Sequence, residues 1–340
     1  LRGISAAAHN KRTYNLLFDA LHPVCFDLCL RVAETWHDEP QVMTALLKFL
    51  NDFVHNKGQR IIFDQSSANG ILLFRETSKI ICAYGNRILQ QPVRNDIYLE
   101  KYKGIRLMLN VLTCALSGNY VNFGVFALYQ DKALQNALDV ALQTCLQIPV
   151  SDVLTFIKLS KAYYSFLEVL FRNHLDVLSG LDSVVFIQLV KTNHEGLQSG
   201  DLTVSALCAS TVDHIATYMF LNQRREKDTV QRIRAHIQSE PDILNQLMST
   251  LFNSLLFTSH ANHWAVTRPI LSLLLASESS FQAYQDQLMQ SQSMQNQQKL
   301  KEEFSRLVAD VQRSVETQNR DRFTQKLTMF RLNVRQFLTF

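Results

Sequence analysis

The sequence predicts an all-α protein, a superhelical solenoid of antiparallel helix pairs that runs as a single continuous array over residues 1–340. The chain has only 10 glycines and 6 prolines in 340 residues, and scarcity of these helix breakers favours long helices. Apolar residues recur with the helical period along the chain, and we find no alternating strand pattern. A single compact core rarely exceeds about 250–300 residues, whereas an array of units that pack on their neighbours has no such limit.

Two helix starts are explicit. Pro40 follows two acidic residues, and the apolar stripe after it runs from Val42 to Phe53 at i, i+3, i+4, i+7, i+8 and i+11, which is typical of one buried helix face. Ser239 and Pro241 predict an N-cap and a first-turn proline for the next explicit helix. The same reasoning predicts helices near residues 10–21, 23–35, 40–56, 70–90, 98–117, 131–147, 152–172, 181–197, 201–222, 241–258, 262–276, 278–291, 297–316 and 320–338.

The spacing of these helices indicates a repeat. Alternate helices begin roughly 35–60 residues apart, compared with about 40–47 residues for HEAT and armadillo units. Antiparallel pairs stacked in register are therefore expected. Residues 223–238 are predicted to be a polar segment between helices, and residues 320–338 a terminal helix that caps the array.

Composition excludes several classes of function. The formal net charge of +4 is too small to imply a nucleic-acid partner. The 6 cysteines lie mostly in apolar helical stretches, which is typical of buried thiols in a reducing compartment. Residues 107–130 carry no charge, as a membrane span would, but Ser117, Gly118 and Asn119 break the stretch. We therefore expect no membrane insertion.

No motif with a known chemistry is present, so we expect neither an enzyme nor a bound cofactor. His22, Cys25 and Cys29 have the spacing of one helical face, and His260 and His263 form an H-x-x-H pair beside Trp264. Either group could ligate a metal, but packing and capping explain both. The aromatic sets Tyr163–Tyr164 and Tyr120, Phe123 and Phe126 could stack on single-stranded nucleic acid. Filling of gaps between helices is the simpler interpretation.

Basic residues form the candidate docking sites for partners. One cluster, in the predicted polar segment, consists of Arg224, Arg225, Lys227, Arg232 and Arg234. It is either a solvated loop or a docking patch for an acidic partner. The second set, Arg331 and Arg335, flanks the apolar stripe of the terminal helix. These two either lay their stems along that stripe or also meet an acidic partner, and their reversal to Glu is expected to leave stability nearly unchanged.

Several collinear segments of this sequence resemble the exportin-7 branch of the karyopherin-β family, also called the Ran-binding protein 16/17 group. They are NGILLFRETSK (69–79), SGNYVNFGVFALY (117–129), DKALQNAL (131–138), YYSFLEVL (163–170), VDHIATY (212–218) and NRDRFTQ (319–325). The resemblance extends over essentially the whole chain and corresponds to the C-terminal third of such a receptor. A start at Leu1 rather than Met agrees with a piece of a longer protein.

The resemblance implies a nuclear export receptor of HEAT repeats that binds protein cargo, is governed by Ran-GTP, contacts nucleoporins and shuttles between nucleus and cytoplasm. Because the family binds Ran mainly through N-terminal repeats, this chain alone is not expected to bind Ran-GTP strongly. The residues alone leave open a second interpretation, a helical-repeat scaffold subunit of a cytosolic or vesicle-coat complex. Only the resemblance separates the two.

The predicted array makes a first testable prediction about dimensions. A compact chain of 340 residues would have a radius of gyration near about 20 Å. Small-angle X-ray scattering of the monomer should give a clearly larger value, since stacked helix pairs extend along one axis. A value at the compact limit would contradict the array.

Overall fold

The computed structural model describes residues 1–64, 66–93, 95–224, 227–258 and 263–338. In these ranges it contains helices and no β-strand. The all-α class predicted from the sequence is confirmed. The chain divides into two compact units, Leu1–Val169 and Leu170–Phe340. Whether both belong to one continuous array stays a prediction.

In its described residues the first unit has ten helices, and the last of them continues past Val169 into the second unit. They are α1 (Arg2–Ala7), α2 (Lys11–Leu21), α3 (Val24–Thr35), α4 (Pro40–Val54), α5 (Asn69–Ile88), α6 (Lys103–Ser117), α7 (Gly124–Leu128), α8 (Ala133–Gln147), α9 (Val150–Thr155) and α10 (Ile157–Asn173). A 3₁₀ turn covers Lys57–Gln59, and a π-helical turn at Tyr98–Tyr102 leads into α6.

The second unit continues with nine further helices in its described residues. They are α11 (Leu175–Ser179), α12 (Ser183–Leu197), α13 (Leu202–Asn222), α14 (Asp228–Ser239), α15 (Ile243–Phe257), α16 (His263–Ala276), α17 (Glu278–Gln290), α18 (Met294–Val308) and α19 (Thr317–Val334). The predicted terminal helix is therefore present, although it starts three residues before Arg320 and ends at Val334.

Within each unit the helices form two rows. In the first unit α3, α5 and α8 pack in succession, as do α1, α4 and α6. In the second unit α12, α15 and α17 form one row, and α13, α16 and α19 the other. Short connections between contacting neighbours such as α12 and α13 require them to run antiparallel. This is the pairing that a helical-repeat array needs.

Several hydrogen bonds made by side chains join segments 50–56 residues apart in the sequence. Arg75 and Asp131 lie 56 residues apart, Gln91 and Asp38 lie 53 apart, and Tyr102 and Asp152 lie 50 apart. In the second unit the His194–Thr250 bond spans 56 residues. These separations are longer than the about 40–47 residues of HEAT and armadillo units, whereas the Ser249–Gln287 bond of the second unit spans 38 residues.

Some helix boundaries differ from those predicted. The 241–258 helix begins at Ile243, and Ser239 ends the preceding helix instead of capping the next one. Pro40 does occupy the first turn of α4, as predicted, but Val42 at its start is exposed while Met43 and Leu47 are buried. The buried face of α4 is thus rotated slightly, because packing against α1 and α6 rather than the stripe alone decides it.

Arg60 joins the C-terminal ends of α1 and α4 in the first unit. Its guanidinium donates hydrogen bonds to the carbonyl oxygens of Ser5 (2.6 Å) and Ala8 (3.0 Å) at the end of α1. It also donates to Asp52 and, through Nε at 3.1 Å, to His55 at the end of α4. Burial lowers the pKa of Arg60, but arginine starts so far above neutrality that the side chain stays charged. One residue therefore satisfies carbonyls at two helix ends.

Helix α19 closes the second unit through an aromatic cluster. Phe330 is almost fully buried, 4.9 Å from Phe304 of α18 and 6.3 Å from Phe252 of α15, measured between ring centroids. Phe281 and Tyr284 of α17 complete the cluster. Of the apolar stripe predicted for this helix, Phe323, Leu327, Phe330 and Val334 are buried. The fifth member, Phe337, follows the end of α19 and is only partly buried.

The uncharged stretch 107–130 is not one span, since α6 ends at Ser117 and α7 begins at Gly124. By length and composition alone one helix in the described part of the chain, Leu202–Asn222, could cross a membrane. Its residues Val204, Cys208 and Val212 are buried, and the helix packs against α12 and α16. The core helix of a water-soluble protein passes the same test.

Truncation of the aromatic cluster gives a second prediction. Phe330→Ala should lower the free energy of unfolding by about 3–5 kcal/mol, since it empties a buried ring site. The neighbouring Met329 is 57% exposed, so Met329→Ala should cost less than about 0.5 kcal/mol. Urea unfolding followed by circular dichroism measures both. Equal losses would mean that α19 does not pack through the Phe330 face.

Candidate partner-docking residues

The predicted polar segment 223–238 is largely a helix, so this prediction is wrong from Asp228 onwards. In α14 (Asp228–Ser239) the side chains of Val230, Ile233 and His236 are buried, and the helix packs on α11 and α12. The apolar positions of this segment are few and are separated by arginines, so its sequence resembles that of a solvated loop. The spacing i, i+3, i+6 was the signal that could have identified the helix.

His236 fixes α14 in place. Its Nε2 lies 2.9 Å from the carbonyl oxygen of Ser179, to which it must donate, and its Nδ1 lies 2.8 Å from the Ser183 hydroxyl. In the tautomer with its proton on Nε2, Nδ1 accepts from that hydroxyl. The ring also stacks on Phe186 with a centroid distance of 4.6 Å. The buried edge of α14 is therefore held by polar and aromatic contacts together.

The two arginines of α14 do not form one patch. Arg232 and Arg234 are two positions apart on the helix, so their side chains leave it in directions about 160° apart. Arg234 donates from Nη2 to the Gln223 carbonyl oxygen at 2.6 Å, just after the end of α13. Arg232 is exposed. The predicted basic cluster is split by the geometry of the helix.

The rest of that cluster lies in the connection before α14. Arg224 and Lys227 are exposed. Arg225 falls outside the described residues. Arg234 is exposed as well, so Arg224, Lys227, Arg232 and Arg234 all place charge at the surface, and Arg234 also bonds the Gln223 carbonyl oxygen.

Arg331 and Arg335 have different surroundings. Arg331 is half-buried, and its Nε donates to the Leu255 carbonyl oxygen at 2.9 Å. Leu255 lies in the last turn of α15, where carbonyls have no partner within the helix. Burial, followed by the neighbouring Arg335, lowers the pKa of Arg331. Arg335 follows α19 and is exposed, so only Arg335 of this pair remains a candidate for docking.

The weak metal candidates have other surroundings. In the described ranges no group of three or more His, Cys, Asp or Glu side chains is placed to hold a metal ion. The His22 ring stacks on Phe18 at 5.2 Å, and Cys29 is buried with a pKa raised mainly by burial. His260 lies outside the described residues, as does the side chain of His263. The pair Tyr163–Tyr164 is buried, as the packing interpretation predicts.

Comparison with known proteins identifies the relatives. No family model matches the chain. An alignment of 344 positions that covers 98% of the chain gives 40% identity to Exportin-7-B of Xenopus laevis. An alignment of 350 positions that covers 99% of the chain gives 39% identity to Ran-binding protein 17 of Homo sapiens. Exportin-7 of Dictyostelium discoideum is 32% identical over 333 positions, which cover 97% of the chain. The chain is a homologue of exportin-7 and Ran-binding protein 17.

The chain spans about a third of the length of these relatives: 32% of the frog and human proteins and 33% of the Dictyostelium protein. The family resemblance in the sequence is therefore confirmed. Its extension to the activities of the whole receptor is a proposal.

Three of the segments that carry the resemblance pack on one another in the first unit. Gly70 approaches segment 117–129 so closely that a Cβ there would lie 2.3 Å from the Tyr120 carbonyl oxygen. Phe74 meets Phe126 edge-on at 5.4 Å, and Arg75 donates to Asp131 at 2.6 Å. The Arg75 guanidinium contributes to a lowered pKa of Asp131, against the opposing effect of burial. These motif residues therefore specify packing.

In the second unit, segments 212–218 and 319–325 also meet. Arg320 forms an ion pair with Asp213 and donates a hydrogen bond to Thr217. Sequence reasoning placed Arg320 at the start of the terminal helix but gave it no partner. No local pattern could have found Asp213, because the two residues are 107 positions apart.

The two arginines of the terminal helix give a third prediction, which revises the expectation of neutrality for Arg331. Arg331→Glu should lower the free energy of unfolding by about 1–3 kcal/mol, because it removes a charged donor from a carbonyl and puts a negative charge at a helix C-terminus. Arg335→Glu should change it by less than about 0.5 kcal/mol. Urea unfolding distinguishes the two, and equal effects would contradict the bond to Leu255.

Proposed function

We propose that this chain is part of a nuclear transport receptor that binds protein cargo in a cycle governed by Ran-GTP. The single observation that supports this is 40% identity to Exportin-7-B over 98% of the chain. On this proposal the protein shuttles between nucleus and cytoplasm and contacts nucleoporins in the pore.

The described architecture suits such a role. Each row of helices contacts its neighbours, so small changes at each interface can add up along the row. Two ligands that favour the same conformation then raise each other's affinity reciprocally. A receptor that loads cargo and a GTPase together requires this coupling.

The exposed basic residues are the proposed contacts of this chain with a partner. Arg224, Lys227, Arg232 and Arg335 present charge to solvent, which suits carboxylate groups on a partner surface. Arg234 and Arg331 are left out of this proposal, since each donates to a backbone carbonyl. The partner contacts of these four residues would contribute to association rate and salt dependence more than to raw affinity.

The proposal makes a prediction about nucleotide dependence, the fourth here. A longer protein that contains this chain should bind immobilised Ran loaded with a non-hydrolysable GTP analogue, and bind Ran-GDP at least about tenfold more weakly. The 340-residue chain alone should bind the GTP form far more weakly than the longer protein, because the family binds Ran mainly through other repeats. Surface plasmon resonance measures all three affinities.

The controls for this titration are heat-denatured receptor and a GTPase of another family in its GTP form, neither of which should bind. Equal affinity of the longer protein for both nucleotide states would contradict a Ran-governed cycle. Equal affinity of the two chains for Ran-GTP would place the GTPase site within these 340 residues.

A further inference from the structure

Arg320 makes hydrogen bonds with every nitrogen of its guanidinium. Nη1 lies 3.0 and 3.1 Å from the two carboxylate oxygens of Asp213. Nη2 lies 3.0 Å from the Thr217 hydroxyl oxygen, and Nε donates to the Val315 carbonyl oxygen at 2.7 Å. The side chains of Asp213 and Arg320 are each 15% exposed. A partly buried arginine with all three nitrogens engaged is held in one geometry.

The Asp213–Arg320 pair joins residues that are farther apart in the sequence than the other side-chain bonds described above. The Arg75–Asp131, Tyr102–Asp152 and His194–Thr250 bonds join residues 50–56 apart. The Arg331–Leu255 bond joins residues 76 apart, whereas Asp213 and Arg320 are 107 apart. Helix α16 packs on both α13, which carries Asp213, and α19, which carries Arg320. The pair therefore ties together the two helices that flank α16, and it skips one repeat.

The connection before α19 depends on the same turn of helix. Asn319 is buried, and it donates to the carbonyl oxygens of Gln312 at 2.8 Å and Ser314 at 2.6 Å. Its own side-chain oxygen accepts from the Gln312 N–H at 3.1 Å. Asn319 thus holds residues 309–316 to the start of α19, and Arg320 holds that start to α13. The far end of α19 is held differently, by Phe330 in the aromatic cluster.

We propose that Asp213, Thr217 and Arg320 form a clasp that opens in one step. When it is closed, residues 309–320 are fixed to α13, and the spacing of α13, α16 and α19 is set. When it opens, residues 309–320 separate from α13 while Phe330 keeps the rest of α19 packed. We expect two states, closed and open. A largely buried ion pair that is partly separated loses its attraction before water can hydrate the two charges, so half-open arrangements are unfavourable. The clasp is a property of this chain and does not depend on the proposed function.

Hydrogen–deuterium exchange of the full chain, read by mass spectrometry, tests the clasp and is the fifth prediction. Arg320→Lys keeps the charge but cannot make the guanidinium fork. Amides in residues 309–320 and 213–217 should then exchange at least about tenfold faster, while α17 and the second half of α19 keep their rates. The matched control is Arg322→Lys, because Arg322 is an exposed arginine on the same helix. It should change no rates.

A second variant keeps the test decisive if Arg320→Lys folds poorly. Asp213→Asn preserves the shape of the partner but removes its charge, and it should accelerate exchange in the same two segments. The double variant should show no more acceleration than the stronger single variant, because a clasp can be opened only once. Acceleration spread evenly over the second unit, rates equal to those of Arg322→Lys, or additive effects in the double variant would each overturn the proposal.

Discussion

Every α-helix leaves its last four backbone carbonyls without a partner inside the helix, and an array of many helices multiplies such ends. Glycine often closes helix ends, but this chain has only 10 glycines. At several helix ends of this chain, a long basic side chain from another segment donates the hydrogen bonds to these carbonyls. Arg60 bonds the ends of α1 and α4, Lys101 donates to the Leu89 carbonyl oxygen after α5 at 2.8 Å, and Arg331 serves α15. Because each donor and its acceptor lie on different elements, closing a helix end also joins two helices.

This constraint changes the meaning of positive charge in the sequence. A basic residue at the flank of an apolar stripe looks like a docking candidate, yet the same position suits a donor to a neighbouring helix end. Arg331 and Arg234 are of this kind. Burial lowers the pKa values of Arg60, Lys101 and Arg331 because desolvation disfavours the charged form. The charge available to a partner is therefore smaller than a count of Lys and Arg indicates, and it is concentrated at positions such as Arg232 and Arg335, which are exposed.

Periodicity predicted the helices that have wide apolar faces, α4 and α19 among them, because such faces must be buried somewhere. It missed α14, whose buried face consists of few residues between arginines, and it took Ser239 for the start of a helix rather than the end of one. Nor could it assign partners: Arg60 and Ser5 are 55 residues apart, and no local signal connects them. For the same reason the sequence could not separate Arg234 and Arg331, which donate to backbone carbonyls, from the other docking candidates. Whether an arginine is free or committed depends on a distant carbonyl, which one sequence without its fold does not reveal.

Contacts between distant parts of the sequence also depend on the repeat, and local sequence patterns do not predict them. The Arg75–Asp131 and Tyr102–Asp152 bonds span 56 and 50 residues, more than the about 40–47 residues of HEAT and armadillo units, and both stretches include the short helix α7. In an ideal array of this kind each unit interacts only with its neighbours, so stability is a sum of local terms. The Asp213–Arg320 pair, at 107 residues, adds a term between next-nearest neighbours. A contact between next-nearest helices such as this one affects both interfaces that lie between them. It joins α13 to α19 across α16, so the spacing of these three helices does not depend on nearest-neighbour packing alone.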